Sequence, residues 1–307
     1  MQELCVSGGR GRFYGGGMDY LEVPVPADLS PEVQRLWFLE QPAEQRYERI
    51  FPQPALHLIV NLAEPYRLFD LQTGAVRVLR AGFLSGLQPR FLMSQSPPAI
   101  RHIAAELAPF AVARFLHLPA TALTGTVRES QGLLGDTDAV RAAAEQAENP
   151  AAAVAVLIEH LRARQRPSGV PPAVVRAWSG IQHNPDAPIP QIAAAAGTSH
   201  HRLIDGFRAW CGVTPKVYAD IVRFRQFIDA LPLRGPMPSW ADLVASSGYY
   251  DQPHFIRVFR AFTGLSPTRY LDIVARYGPE YAAFVPLDEP HGVPEFSTRP
   301  RGSGGLR

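Results

Sequence analysis

Lysine is almost missing from this 307-residue chain: of its 30 basic residues only Lys216 is lysine. The bias reads as composition and implies no chemistry. Cysteine is scarce as well. Cys5 and Cys211 stand 206 positions apart, which excludes a disulfide framework and a CxxC metal site and fits a reducing compartment. No run approaches the roughly 18–20 apolar residues that span a bilayer. The start, MQELCVSGGRGRF, lacks the apolar segment of a secretory signal. The glycine-rich stretch 8–17 has no GK[ST] and no strand before it, so it is neither a P-loop nor a dinucleotide fingerprint. GxSxG, HxH and HExxH are absent, and His57, His102 and His117 lie in separate apolar contexts. The chain is therefore expected to be cytoplasmic, without metal or cofactor, and not an enzyme.

What is present is ordinary globular composition, 46% hydrophobic and 19% charged. At about 100–200 residues per domain, the length predicts two domains. A net charge of +2 points to no partner, but the charge is uneven. Residues 1–169 carry 16 basic and 17 acidic groups, residues 170–277 carry 11 and 7, and the tail carries 3 and 4. A positive excess confined to one region is the footprint of a phosphate-binding domain.

The expected organisation begins with a disordered leader, 1–17, with Met18 as an alternative start. From about Tyr20 to Arg101 short apolar runs broken by Pro, Gly and Asn (RLWFLE, ALHLIVNL, YRLFDL, AVRVL, GFLSGL) read as antiparallel strands. In 137–165, Val154, Leu157, Ile158 and Leu161 mark one face of an amphipathic helix, which would pack on the β unit or on a second subunit. Together these make a β-rich sensor or dimerisation domain, 18–164. QRPSGVPPA, 165–173, reads as a linker. Helical patterns fill 174–277, and 278–307 is expected to be largely disordered.

The most informative feature is a repeat. FRAWCGVTPKVY and FRAFTGLSPTRY, starting at Phe207 and Phe259, align without gaps at an offset of 52, with Phe, Arg, Ala, Gly, Pro and Tyr identical. Each copy follows an apolar helix, a glycine (Gly197, Gly248) and a capping residue (Ser199, Asp251). That is helix, tight turn, helix. In the second copy Pro253 falls in the first turn. Phe255, Val258, Phe259 and Phe262 form the buried stripe, which leaves Gln252, His254, Arg257 and Arg260 on the other faces. Such a helix suits the DNA major groove. Between the copies, Lys216–Leu231 reads as a helix about 24 Å long with Val217, Ile221, Phe224 and Ile228 on one face, ended by Pro232, Pro236 and Pro238. It could set two readers about one DNA turn apart. Ser239 with Asp242 would cap the next helix.

On these residues the segment Ala173–Asp272, and above all SSGYYDQPHFIRVFRAFTGLSPTRY, resembles the AraC/XylS family of transcription regulators. The resemblance implies a seven-helix domain of two helix-turn-helix units joined by a long helix. YERIFPQPALHLIVNL, FLSGLQPR and ELAPFAVARFLHLPATALTG resemble the β-rich, cupin-like sensor domains attached to that module, giving an α+β two-domain fold. Double-stranded DNA is the implied partner. A small-molecule effector, RNA polymerase and a second copy of the chain are further candidates.

The sequence departs from the family pattern in the first unit, where Asp205 stands in the place that Arg257 holds in the second, followed by Gly206. Asp205 could accept from cytosine N4 but would repel phosphate. The first unit is therefore expected to bind more weakly, through His200, His201, Arg202 and Arg208. In the second, Arg257 and His254 are expected at base edges, Gln252 near the helix start and Arg260 on phosphate. Val244 replaces a usual alanine. Cys211 is expected as a small core residue. Two other readings fit less well: an enzyme with a fused regulatory DNA-binding domain, and an interaction adaptor whose helix-turn-helix module has degenerated.

Overall fold

The structure, a computed structural model, describes residues 19–42, 47–70, 73–231, 252–278, 282 and 284–287. The expected leader, Cys5, and the stretch holding Pro232, Pro236, Pro238, Ser239, Asp242, Val244, Gly248 and Asp251 lie outside these residues.

Among the described residues eleven strands form two antiparallel sheets in the N-terminal domain, the last of them contributed by a segment that follows the helical half. The first sheet has the order β1 (Asp19–Val23), β2 (Val33–Pro42), β9 (Ala99–Leu107), β4 (Leu56–Asn61), β7 (Gly82–Ser85), β10 (Val127–Glu129). The second runs β11 (Phe284–Leu287), β3 (Tyr47–Ile50), β8 (Leu92–Gln95), β5 (Tyr66–Phe69), β6 (Val76–Leu79). All five runs expected as strands are strands.

Register explains the faces. Pairing Phe38 with Ile103 and Leu58 with both Ala105 and Leu84 lines up an apolar face, because residues opposite one another share a side of the sheet. Two helices cover that face, α2 (Thr137–Glu145) and α3 (Pro150–Ala163), after the single-turn helix α1 (Val112–Phe115). Val154, Leu157 and Leu161 are fully buried there, so the stripe left open between β unit and second subunit packs within the chain. The opposite face carries Trp37, His57, His102 and Glu106. It meets the second sheet through Tyr66, whose ring packs on Phe83 and whose hydroxyl lies 3.4 Å from His102 Nδ1.

The helical half contains α4 (Pro172–His183), α5 (Ile189–Ala195), α6 (His200–Cys211), α7 (Pro215–Ala230), α8 (Gln252–Thr263) and α9 (Pro267–Tyr277). These are six of the seven expected helices; the other falls on residues outside the described set. In α7, Ile221, Phe224 and Ile228 are buried as expected, but Val217 is 36% exposed and Tyr218 is buried instead. Helix α7 crosses between two cores. Tyr218, Ala219 and Val222 join the core shared by the sheet, α2, α3 and the first helical unit, while Phe224, Phe227 and Ile228 join that of the second.

Two segments make contacts that the sequence did not reveal. The linker segment is docked: the Arg166 backbone amide and its guanidinium Nε donate to the carbonyls of Arg114 and Ala113, and Arg114 bonds the Gln165 side chain. The tail is not wholly without structure, because Phe284–Leu287 pairs with β3 and fully buries Val285. In both places backbone partners from the β domain supply what side-chain pattern alone does not reveal.

Candidate nucleic-acid interface

The first unit is built from α5, a tight turn and α6. Ile192, Ala193 and Ala196 bury the near side of α5. Gly197 takes φ +72°, in the left-handed region where a Cβ would be strained. The Arg176 guanidinium holds the Ala196 carbonyl at 2.7 Å and 3.1 Å. Ser199 caps α6, its hydroxyl accepting from the Arg202 amide at 3.3 Å. Leu203, Phe207 and Cys211 point inward, and burial pushes the Cys211 thiol up, leaving it a core residue and a poor nucleophile.

The outward face carries His200, His201, Arg202, Asp205 and Arg208, all exposed. Asp205 is not a bare carboxylate, since His201 Nδ1 lies 3.0 Å from it one turn away. Gly206 has a packing reason: a Cβ there would stand 2.9 Å from Val174 Cγ2, so its absence lets α4 and α6 approach.

The second unit repeats the pattern. Phe255, Phe259 and Phe262 are buried and Val258 is partly so, while Arg257 and Arg260 are exposed. Gln252 and His254 fall in the first turn of α8, and their side chains lie outside the described set. Ser266 caps α9 through the Arg269 amide, as Thr214 caps α7 through the Val217 amide. The repeat thus extends to capping chemistry.

Ion pairing separates the cations into two groups. On the connector α7, Lys216 pairs with Asp220, Arg223 with Asp220 and Asp186, and Arg225 with Asp229. Arg202, Arg208, Arg257 and Arg260, on α6 and α8, have no side-chain partner among the described residues; Arg269 on α9 shares that state. The positive excess of the helical half is therefore spent on the connector and left open mainly on the two repeated helices.

In the N-terminal domain, sequence reasoning missed two features. His57 has a carboxylate neighbour, Glu106, at 3.9 Å. His102 accepts from Trp37 Nε1 at 3.3 Å, which leaves its Nδ1–H for the Tyr66 hydroxyl, and burial pushes its pKa down to about 4. Strand alternation places both on one face, a signal that needed register, which a single sequence does not give. Among the described residues no helix is long and apolar enough to cross a membrane, and no group of His, Cys, Asp and Glu could hold a metal ion.

Comparison with known proteins agrees with this geometry. Residues 192–273 match the model of a helix-turn-helix domain, and residues 21–129 match that of a domain of unknown function, DUF6597. No curated protein matches. Among solved structures, ToxT from Vibrio cholerae is similar at 11% identity and a TM-score of 0.42, covering 78% of this chain and 98% of that one. ToxT bound to an unsaturated fatty acid gives 10% identity, the same TM-score, and 81% and 98% coverage. ToxT bound to (E)-4-(8-methylnaphthalen-1-yl)but-3-enoic acid gives 12% identity, again with a TM-score of 0.42, and 78% and 98% coverage. These are likenesses of outline, and the assignment rests on the matched helices. The chain is a DNA-binding transcription regulator of the helix-turn-helix class. Its C-terminal module carries the matched helix-turn-helix domain, and its N-terminal domain is β-rich.

Proposed function

We propose that the chain reads a DNA duplex with α6 and α8 placed in successive major-groove faces. The observation that carries this reading is that Arg202, Arg208, Arg257 and Arg260 have no ion-pair partner among the described residues, whereas the cations of α7 are all paired. A guanidinium without a carboxylate is free to take phosphate oxygens or guanine O6 and N7. In α8, Arg257 and His254 take base edges, Gln252 sits near the helix start, and Arg260 takes phosphate. In α6, His200, His201, Arg202 and Arg208 contribute more weakly. The His201 imidazole, 3.0 Å from Asp205, occupies one side of that carboxylate. The DNA-binding domain is the segment 174–277, and the protein acts in the cytoplasm by binding, without catalysis of its own.

The N-terminal domain, 18–164, is assigned a small-molecule effector. The Trp37, Tyr66 and His102 side chains bring aromatic surface and hydrogen-bonding groups together between the two sheets, the mix that orients small ligands. RNA polymerase and a second copy of the chain are the further partners of this reading. Selection of duplexes from a randomised pool by the full chain, followed by salt-titrated binding, tests the DNA reading. A preferred sequence protected over about two helical turns supports it, and binding no better than to random duplex refutes it.

A further inference from the structure

The repeat holds a second correspondence, in how each recognition helix ends. Gly212 and Gly264 are equivalent residues of the two copies, and both take left-handed backbone, φ +81° and +67°. Each is pressed against the N-terminal domain. A Cβ on Gly212 would stand 2.7 Å from the Ala120 carbonyl oxygen and 2.4 Å from Thr124 Oγ1, and one on Gly264 would stand 2.5 Å from Phe91 Cε1. The carbonyl of each glycine is also held by a side chain of that domain. Thr124 Oγ1 donates to Gly212 at 3.0 Å, and Arg49 Nη1 donates to Gly264 at 2.9 Å, with Thr263 at 3.3 Å.

Both seats are reinforced. Near the first, Phe110 packs edge-on against Trp178, and the Tyr218 hydroxyl donates to the Pro54 carbonyl. At the second, Phe51 enters the core of the helical unit, its ring centroid 6.0 Å from Phe224 and 5.8 Å from Tyr270. Strand β11 extends β3 directly beside it. Neither seat covers the outward faces, because Arg202, Arg208, Arg257 and Arg260 stay exposed.

We infer that the N-terminal domain sets the spacing between the two recognition helices, with Thr124 and Arg49 as positioning residues that grip the same atom of each repeat. A cation at the C-terminal end of α8 also suits the helix dipole, so Arg49 is the stronger grip. The long helix α7 joins the two units by one covalent path. The β domain closes a second path between the C-terminal ends of the two recognition helices, and a reader held by both paths keeps its register on DNA. The inference rests on the two-helix reading above.

The test uses the full chain and a duplex it selects from a random pool, with a second duplex in which two base pairs are inserted between the half-sites, a rotation of about 70°. Wild type should lose roughly a hundredfold in affinity on insertion. A chain carrying Thr124→Val and Arg49→Met should lose less than about tenfold, with weaker binding to the original duplex. Arg49→Lys in place of Arg49→Met should restore part of the spacing preference. Unchanged spacing preference in the double variant overturns the inference; a uniform loss on both duplexes that preserves their ratio does so too. If wild type itself ignores spacing, the two-helix reading fails instead. The grip is then judged in the DNA-free chain, or in the single variants should the double variant not fold, by amide exchange at the C-terminal ends of α6 and α8. Exchange faster by roughly tenfold at those ends supports it, and unchanged exchange overturns it.

Discussion

Gly212→Ala should destabilise the protein by far more than an ordinary glycine substitution in a left-handed position. The backbone term is common to all such sites: an L-residue at positive φ costs about 1–2 kcal/mol. Gly132 isolates that term, because at φ +75° a Cβ there meets nothing within 4 Å. Gly197 is nearly as open, with Arg176 Nη2 at 3.5 Å. At Gly212 the added carbon meets the Ala120 carbonyl oxygen at 2.7 Å and carbon at 3.0 Å, backbone atoms that cannot rotate away. The seat must open, disturbing Ala120, Leu123 and Cys211, each no more than 5% exposed. Overpacking of this kind adds about 1–3 kcal/mol. The expected totals are about 1–2 kcal/mol for Gly132→Ala and Gly197→Ala, and about 2–5 kcal/mol for Gly212→Ala. Urea unfolding of the full chain, with midpoint and slope fitted for each variant, measures the difference. Equal midpoints for Gly212→Ala and Gly132→Ala would refute the close seat of the first recognition helix on the N-terminal domain.

Three further outcomes follow from other contacts. His102 is buried and its pKa stands at about 4 in the folded chain against an ordinary 6.5, so the unfolded chain binds the proton more readily. Its contribution, roughly 3 kcal/mol, is therefore full above pH 6.5 and lost as the pH falls toward 4, and His102→Gln should flatten that part of an unfolding-versus-pH curve. Tyr218→Phe removes the hydroxyl that accepts from Trp178 Nε1 at 2.7 Å and donates to Pro54, a cost of about 1–3 kcal/mol in thermal or urea unfolding. Asp205→Asn should strengthen binding to any duplex by roughly twofold to fivefold at low salt, an effect that fades as salt rises, since the lost charge faces phosphate. A salt titration in which the variant and wild type coincide would place Asp205 away from the DNA.

The helical units were legible because local rules decide them. Glycine ends α5 and α6, serine and threonine cap the helices that follow, and three phenylalanines one turn apart fill the core of the second unit. Strands with β-branched and aromatic alternation were legible for the same reason. Strand β9 was not: AIRHIAAEL has the alanine content of a helix and becomes a strand only because β2 and β4 flank it on both sides. The docking of the two halves left no local trace. Arg49 and Phe51 sit in a segment without periodicity, and Gly212 and Gly264 look like ordinary helix ends until the N-terminal domain is placed beside them. The contacts of His102 and the role of Gly206 depended likewise on partners far away in sequence.

The central claim, that the repeated helices read base sequence, is tested most directly by Arg257→Ala. Binding of wild type and variant is measured at one salt concentration on a selected duplex and on a random one. The account predicts a loss of about 1–3 kcal/mol on the selected duplex and little change on the random one. An equal loss on both would contradict it, leaving Arg257 a phosphate contact without a share in reading the sequence.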